Sequence, residues 1–155
     1  MIANVEKRND PIGWLQPMLP TILLVEDEVA VREVTREALE MGGYRVLEAS
    51  GPEEAAGIVN NRATEIDMLL TDVVMPGMSG TELARQISES RPNLVTIFMS
   101  GYAESEVLRA ETRGAMQHHI QKPFTIEGLL SRVAEALAAR PGGEHEYRPS
   151  QFRSP

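Results

Sequence analysis

Cysteine is absent from the 155 residues, which excludes disulfide bridges and thiolate metal sites and agrees with a reducing compartment. Any metal must therefore be held by oxygen or histidine ligands. No run of eighteen apolar residues occurs, and no basic-then-apolar stretch opens the chain. Neither a membrane span nor an export signal is expected, and the cytoplasm is the expected compartment. Positive charge is scarce, with 15 Lys and Arg against 23 Asp and Glu and a formal net charge of −8. That balance argues against a general nucleic-acid binder, whose phosphate contacts need clustered Lys and Arg. Internal repeats are missing, and so is an appended helix-turn-helix pattern, so direct transcriptional output is not expected of this chain.

What is present fits one folded unit with a sizeable core, at 42% hydrophobic residues. Residues 1–20, with Pro11, Pro17 and Pro20 among scattered polar residues, read as a tail or linker in which Trp14, Leu15, Met18 and Leu19 retain some capacity to dock. Residues 140–155 are rich in Pro, Gly and charge and read as disordered. Between them, over 21–139, short apolar runs alternate with amphipathic stretches. TILLV at 21–25, YRVLEA at 44–49, DMLLT at 67–71, LVTIFM at 94–99 and the more polar MQHHI at 116–120 predict five strands.

Stripes at helical spacing predict the intervening helices: Val31, Val34, Ala38 and Leu39; Leu83, Ala84 and Ile87; Leu129, Leu130, Val133, Ala134 and Leu137. Ser50 with Glu53 and Ser79 with Glu82 fit capping boxes, Pro52 suits a first turn, and Thr125 is a candidate cap. Gly42-Gly43 and Gly114 supply stops. Strict alternation of strand and helix implies right-handed crossovers and a mostly parallel sheet covered on both faces, an α/β fold.

In such sheets ligands gather at the carboxyl ends of the strands, and the chemically capable residues all fall there. The first strand leads into Glu26-Asp27-Glu28, the third into Asp72, the fourth into Ser100-Gly101 and the fifth into Lys122-Pro123. Glu28 reads best as a helix cap. Glu26, Asp27 and Asp72 differ, because neighbouring first and third strands would bring three carboxylates within a few ångströms. Their mutual repulsion calls for a cation, and a hard divalent ion such as Mg²⁺ suits oxygen ligands combined with waters and phosphate oxygens. A carboxylate beside such an ion is a capable nucleophile toward phosphorus. Asp72 is the candidate, since Pro76, Gly77 and Gly80 in the following VVMPGMSG permit an open turn. Lys122 offers a point cation, and the Ser100 hydroxyl and Gly101 N–H offer donors to the remaining phosphoryl oxygens.

These residues, over roughly Thr21 to Ala139, resemble the receiver domains of response regulators and hybrid histidine kinases. The motifs are Glu26-Asp27, Asp72 in LLTDVVMPGMSG, Ser100 in FMSGY and Lys122 in QKPF, in the family's order and spacing. The resemblance implies a flavodoxin-like (βα)5 fold with strand order 2-1-3-4-5 and a Lys122-Pro123 bond of the cis form. It implies direct Mg²⁺ binding by Asp27 and Asp72, help from Glu26 through water, and a further ligand in the Val74 backbone carbonyl. It also implies phosphoryl transfer onto Asp72 from a histidine kinase or histidine phosphotransfer protein, and signalling to a downstream protein through the face made by the fourth helix, fifth strand and fifth helix. VVMPGMSG and SGYAE look most like receivers of hybrid kinases. Such a chain acts only on its own phosphorylation and is not expected to be an enzyme.

One position departs from the family pattern. Three residues before the lysine, where Tyr or Phe usually swings inward with the hydroxyl residue, stands His119. His118 competes with it for the inward direction, and a zinc site from the two is disfavoured because adjacent strand residues point to opposite faces. Tyr102 is a second candidate for an aromatic switch near Ser100, or else an ordinary half-buried loop residue. Two rival readings remain: a receiver-like interaction module that is never phosphorylated, whose degenerate members lose these motifs, and an aspartyl-phosphate phosphatase, which needs an acid where Val74 stands.

Overall fold

The computed structural model describes residues 19–101 and 117–140. Tyr102, Gly114, the stretch expected to hold the family's fourth helix and nearly all of both proposed tails lie outside them. Five strands, β1 (Thr21–Val25), β2 (Arg45–Ala49), β3 (Met68–Asp72), β4 (Val95–Ser100) and β5 (Gln117–Gln121), are joined in chain order with helices α1 (Val29–Met41), α2 (Pro52–Asn60), α3 (Gly80–Ser90) and α4 (Ile126–Ala138). The strands form one parallel sheet, as the alternating pattern implied, in the order β2-β1-β3-β4-β5 that the family resemblance implied.

The continuous apolar runs follow from burial on both faces. Ile22, Leu24, Met68, Leu70, Ile97, Met99 and Ile120 pack on one side against Ala38 and Leu39 of α1 and Leu129 and Val133 of α4. Their strand neighbours Leu23, Val25, Leu69 and Phe98 turn to the other side, against Ala55 and Val59 of α2 and Leu83, Ala84 and Ile87 of α3. Each such side chain contributes roughly 1.5–3 kcal/mol by leaving water. A one-residue register slip would exchange the two sets, so the pattern holds the register firmly.

β3, β4 and β5 each reach one residue beyond the expected limit, which makes Asp72 and Ser100 strand-terminal residues. Pairing opposes Asp72 to Met99 and Ser100 to Gln121. The ladder then runs on past the strands: Val73 N donates to Met99 O at 3.1 Å and Lys122 N to Ser100 O at 2.8 Å. These backbone bonds fix where the key side chains depart.

Two caps behave as their residues suggest, with Ser79 Oγ accepting from Glu82 N and Thr125 Oγ1 from Gly128 N. Two others do not. The N-cap of α2 is Gly51, and Ser50 instead donates through N and Oγ to Glu54 Oε2 at 3.0 and 2.8 Å. The partner of Ser50 is thus Glu54 rather than Glu53, because Pro52 starts the helix one residue later than a Ser50 cap requires. Glu28 does occupy the N-cap of α1, but its side chain makes no capping bond. The Glu26 carboxylate takes the Glu28 N–H at 3.1 Å instead.

At the opposite edge of the sheet Asp67 joins the two ends of the fold. Its Oδ2 accepts from Thr21 N at 2.7 Å, and its Oδ1 accepts from Arg140 Nη1 at 2.9 Å.

Candidate functional site

β1, β3 and the segment after β5 deliver three side chains to one point at the carboxyl edge of the sheet. Lys122 Nζ donates to Glu26 Oε2 at 2.8 Å and to Asp72 Oδ2 at 3.1 Å. Glu26 is 1% exposed, the Asp72 side chain 12% and that of Lys122 25%, so this ammonium is shared between two poorly solvated carboxylates. Asp27 is exposed and completes the cluster: Glu26, Asp27 and Asp72 each offer a carboxylate oxygen, all within 4.8 Å of one another.

The electrostatics invite a divalent cation. Burial pushes the Glu26 carboxyl above its ordinary range, the bonds from Lys122 and Glu28 oppose that rise, and the Asp72 charge adds to it. Burial works against the Lys122 ammonium, yet its bond and attraction to Glu26, and then to Asp72, outweigh that loss and raise its pKa. Three carboxylates against one ammonium leave two negative charges when all are ionised. A hard divalent ion with oxygen ligands balances that excess, so the donor set fits Mg²⁺.

The phosphoacceptor candidate is backed by its own backbone environment. Gly80 N donates to Val73 O at 2.8 Å, and a Cβ at position 80 would collide with the Asp72 carbonyl oxygen while lying 2.9 Å from its carbonyl carbon. Gly80 is therefore needed for close approach, a role distinct from the turn expected of it. The turn itself belongs to Gly77, whose φ of 90° lies in the left-handed region. Between them the loop leaves Val74 58% exposed. Ser100 is fully buried at the end of β4, one residue beyond the partner of Asp72, and the Lys122-Pro123 peptide is cis.

The two histidines separate as strand alternation requires. His118 lies on the face of Ile120, where burial and Arg132 of α4 lower its pKa and Glu135 opposes them. His119 turns the other way, with its ring centroid 5.8 Å from that of Phe98. Both imidazoles are half-buried, one on each face of the sheet. The two imidazoles cannot share a metal. Sequence reasoning missed Arg32, whose Nη1 donates to the Glu26 carbonyl oxygen at 2.7 Å. Its place one helical turn after Glu28 was the available signal.

Comparison with known proteins agrees with this arrangement. The family model described as the response regulator receiver domain matches residues 22–134, and the chain belongs to that family. It is a receiver domain of two-component signalling. It is 40% identical over 134 residues to the sensor kinase CckA of Brucella abortus, covering 86% of this chain but only 14% of that protein's length. The receiver protein CpdR of the same organism is 32% identical, with 76% of this chain and 97% of CpdR covered. Among solved structures, the receiver domain of the hybrid histidine kinase CckA superposes with a TM-score of 0.63 at 34% identity, covering 75% of this chain and 97% of that one.

Proposed function

We propose that this receiver accepts a phosphoryl group on Asp72 from a phosphohistidine of a partner kinase or phosphotransfer protein, in the presence of Mg²⁺, and alters its protein contacts in response. The observation that carries the proposal is the convergence of Lys122 Nζ on Asp72 Oδ2 at 3.1 Å and Glu26 Oε2 at 2.8 Å, beside the exposed Asp27.

An Asp72 carboxylate oxygen attacks phosphorus, a P–O bond forms, and the P–N bond to the donor imidazole breaks with its electron pair returning to nitrogen. Bound Mg²⁺ would be held by Asp27, Asp72 and the Val74 carbonyl, with Glu26 in support, and supplies neutralisation of charge on the transferred oxygens. Lys122 would hold a phosphoryl oxygen once Asp72 is modified, and Ser100 and Gly101 would hold another. Water later attacks phosphorus, releases inorganic phosphate and restores the carboxylate. The chain turns over nothing but its own phosphoryl group.

Identity to CckA over most of this chain supports a place in a phosphorelay of the hybrid-kinase type. No described helix is long and apolar enough to cross a membrane, and a cytoplasmic site of action fits a histidine-kinase donor. The test incubates the protein with Mg²⁺ and acetyl phosphate and reads intact mass. A gain of one phosphoryl group, lost in Asp72→Asn, is expected; an Asp72→Asn protein that still gains it would refute the assignment.

A further inference from the structure

Arg32 has no part in the transfer described above, yet it grips the corner from which two of the three carboxylates leave. Its Nη1 donates to the Glu26 carbonyl oxygen at 2.7 Å, and its Nε lies 3.7 Å from Glu48 Oε1 on β2. Arg36, one turn later, sets its Nε 3.5 Å from the same Glu48 oxygen. The Arg32 side chain is only 17% exposed, so its stem is packed and its head has few alternatives. Other groups of Glu26 are also engaged: its N donates to Ala49 O at 3.1 Å, and its two carboxylate oxygens accept from Glu28 N and Lys122 Nζ. The carbonyl held by Arg32 belongs to the planar peptide unit that ends at Asp27 N. Fixing that oxygen fixes the plane from which the Asp27 side chain departs.

We propose that Arg32 is a positioning residue for the metal corner, holding the Glu26–Asp27 peptide so that Asp27 stays with Glu26 and Asp72, and strengthening divalent-cation binding without touching the ion. This inference rests on the Mg²⁺ reading made above.

Its sign separates it from simple electrostatics. Arg32 is a cation near a cation site, and charge alone would make its removal tighten Mg²⁺ binding. Loss of a ligand-orienting bond has the opposite effect, commonly 10-fold or more in metal affinity. Arg36 supplies the control, because it bears the same charge on the same Glu48 but is not bonded to Glu26.

The experiment titrates Mg²⁺ into the full chain and follows the amide shifts of Glu26, Asp27 and Glu28, with thermal melting in EDTA as a separate measure of folding. Arg32→Met, which retains the packed stem, should raise the Mg²⁺ Kd about 10-fold. Arg32→Lys should recover most of that loss through its single ammonium donor, and Arg36→Ala should leave the Kd unchanged or slightly lower. Should Arg32→Met melt below the assay temperature, Arg32→Gln replaces it, removing the same charge, with a smaller rise in Kd expected from its shorter amide donor. A Kd that stays at or below the wild-type value in the deciding variant, while Asp27→Ala abolishes binding, overturns the positioning role and leaves the metal reading intact. Failure of the wild-type protein to bind Mg²⁺ overturns both.

Discussion

Glu26 and Lys122, 96 positions apart in the chain, meet in a 2.8 Å bond whose carboxylate end is almost wholly removed from solvent. The pair is held by the sheet rather than by its own attraction, since Glu26 follows β1 directly and the Lys122 backbone is tied to Ser100. A buried ion pair of this kind often costs as much in desolvation as it returns. Here the raised pKa of Glu26 records that cost.

The first prediction is a pH dependence of stability without metal. Glu26 has a folded pKa above its ordinary 4.5, so the stability linked to its neutral form is present below about pH 4.5 and is lost as pH rises through the folded value. Lys122 is raised above 10.5, so its contribution persists below that pH and is lost only as pH climbs through its own folded value. In EDTA at pH 7, Glu26→Gln should therefore melt higher than wild type, and the advantage should vanish near pH 4. Calorimetric melts across pH 4–8 check it, and a Gln variant less stable than wild type at pH 7 would contradict the account.

Asp27→Ala should abolish both Mg²⁺ binding and phosphorylation, because Asp27 is the exposed member of the carboxylate cluster and the one most open to an entering ion. Isothermal titration and intact mass read the two effects. Wild-type phosphorylation of this variant in Mg²⁺ would remove Asp27 from the metal site.

Gly80→Ala must push against the carbonyl of Asp72. Overpacking of this sort costs about 1–3 kcal/mol, and displacement of the nucleophile should slow phosphorylation from acetyl phosphate by about 10- to 100-fold. Gly77→Ala, with open space around it, should show the strain of its φ without the loss of rate.

Val74 cannot orient an attacking water by hydrogen bonding, and its exposed side chain follows Asp72 by two residues at the start of the loop. Val74→Asn adds a hydrogen-bonding group worth about 1 kcal/mol, which corresponds to about fivefold faster loss of the phosphoryl group. Time-resolved mass spectrometry after removal of the donor measures the decay; an unchanged half-life would clear Val74 of control over hydrolysis.

Beryllofluoride in Mg²⁺, a mimic of the phosphorylated aspartate, should shift amide resonances along β5 and into α4 as well as around Asp72. The Lys122 N to Ser100 O bond joins the site's hydroxyl residue to the end of β5, and His119 packs on Phe98 of β4. Changes confined to the surroundings of Asp72 would disprove transmission through β5.

Much of this was legible in the chain because burial on both faces leaves an unmistakable mark. TILLV and MLLT could only be interior strands, and strand alternation separated His118 from His119 before any coordinates. The residues misread were those whose roles depend on contacts across the fold. Ser50 looked like a cap but bonds to Glu54 because Pro52 shifts the helix start. Gly80 looked like a turn residue, and only the nearness of the Asp72 backbone reveals what it does. Arg32 carried only its place one helical turn after Glu28, since a carbonyl acceptor adds no motif of its own to the sequence.

Asp67 gives the domain a further property. One carboxylate receives both the amide that opens β1 and the guanidinium just past α4, so the entering and leaving strands of polypeptide are separated by little more than a side chain. Such a fold is portable. Insertion into a host sequence, or closure into a circular permutant through a short joint, is expected to leave the carboxylate cluster at the far end of the sheet in place.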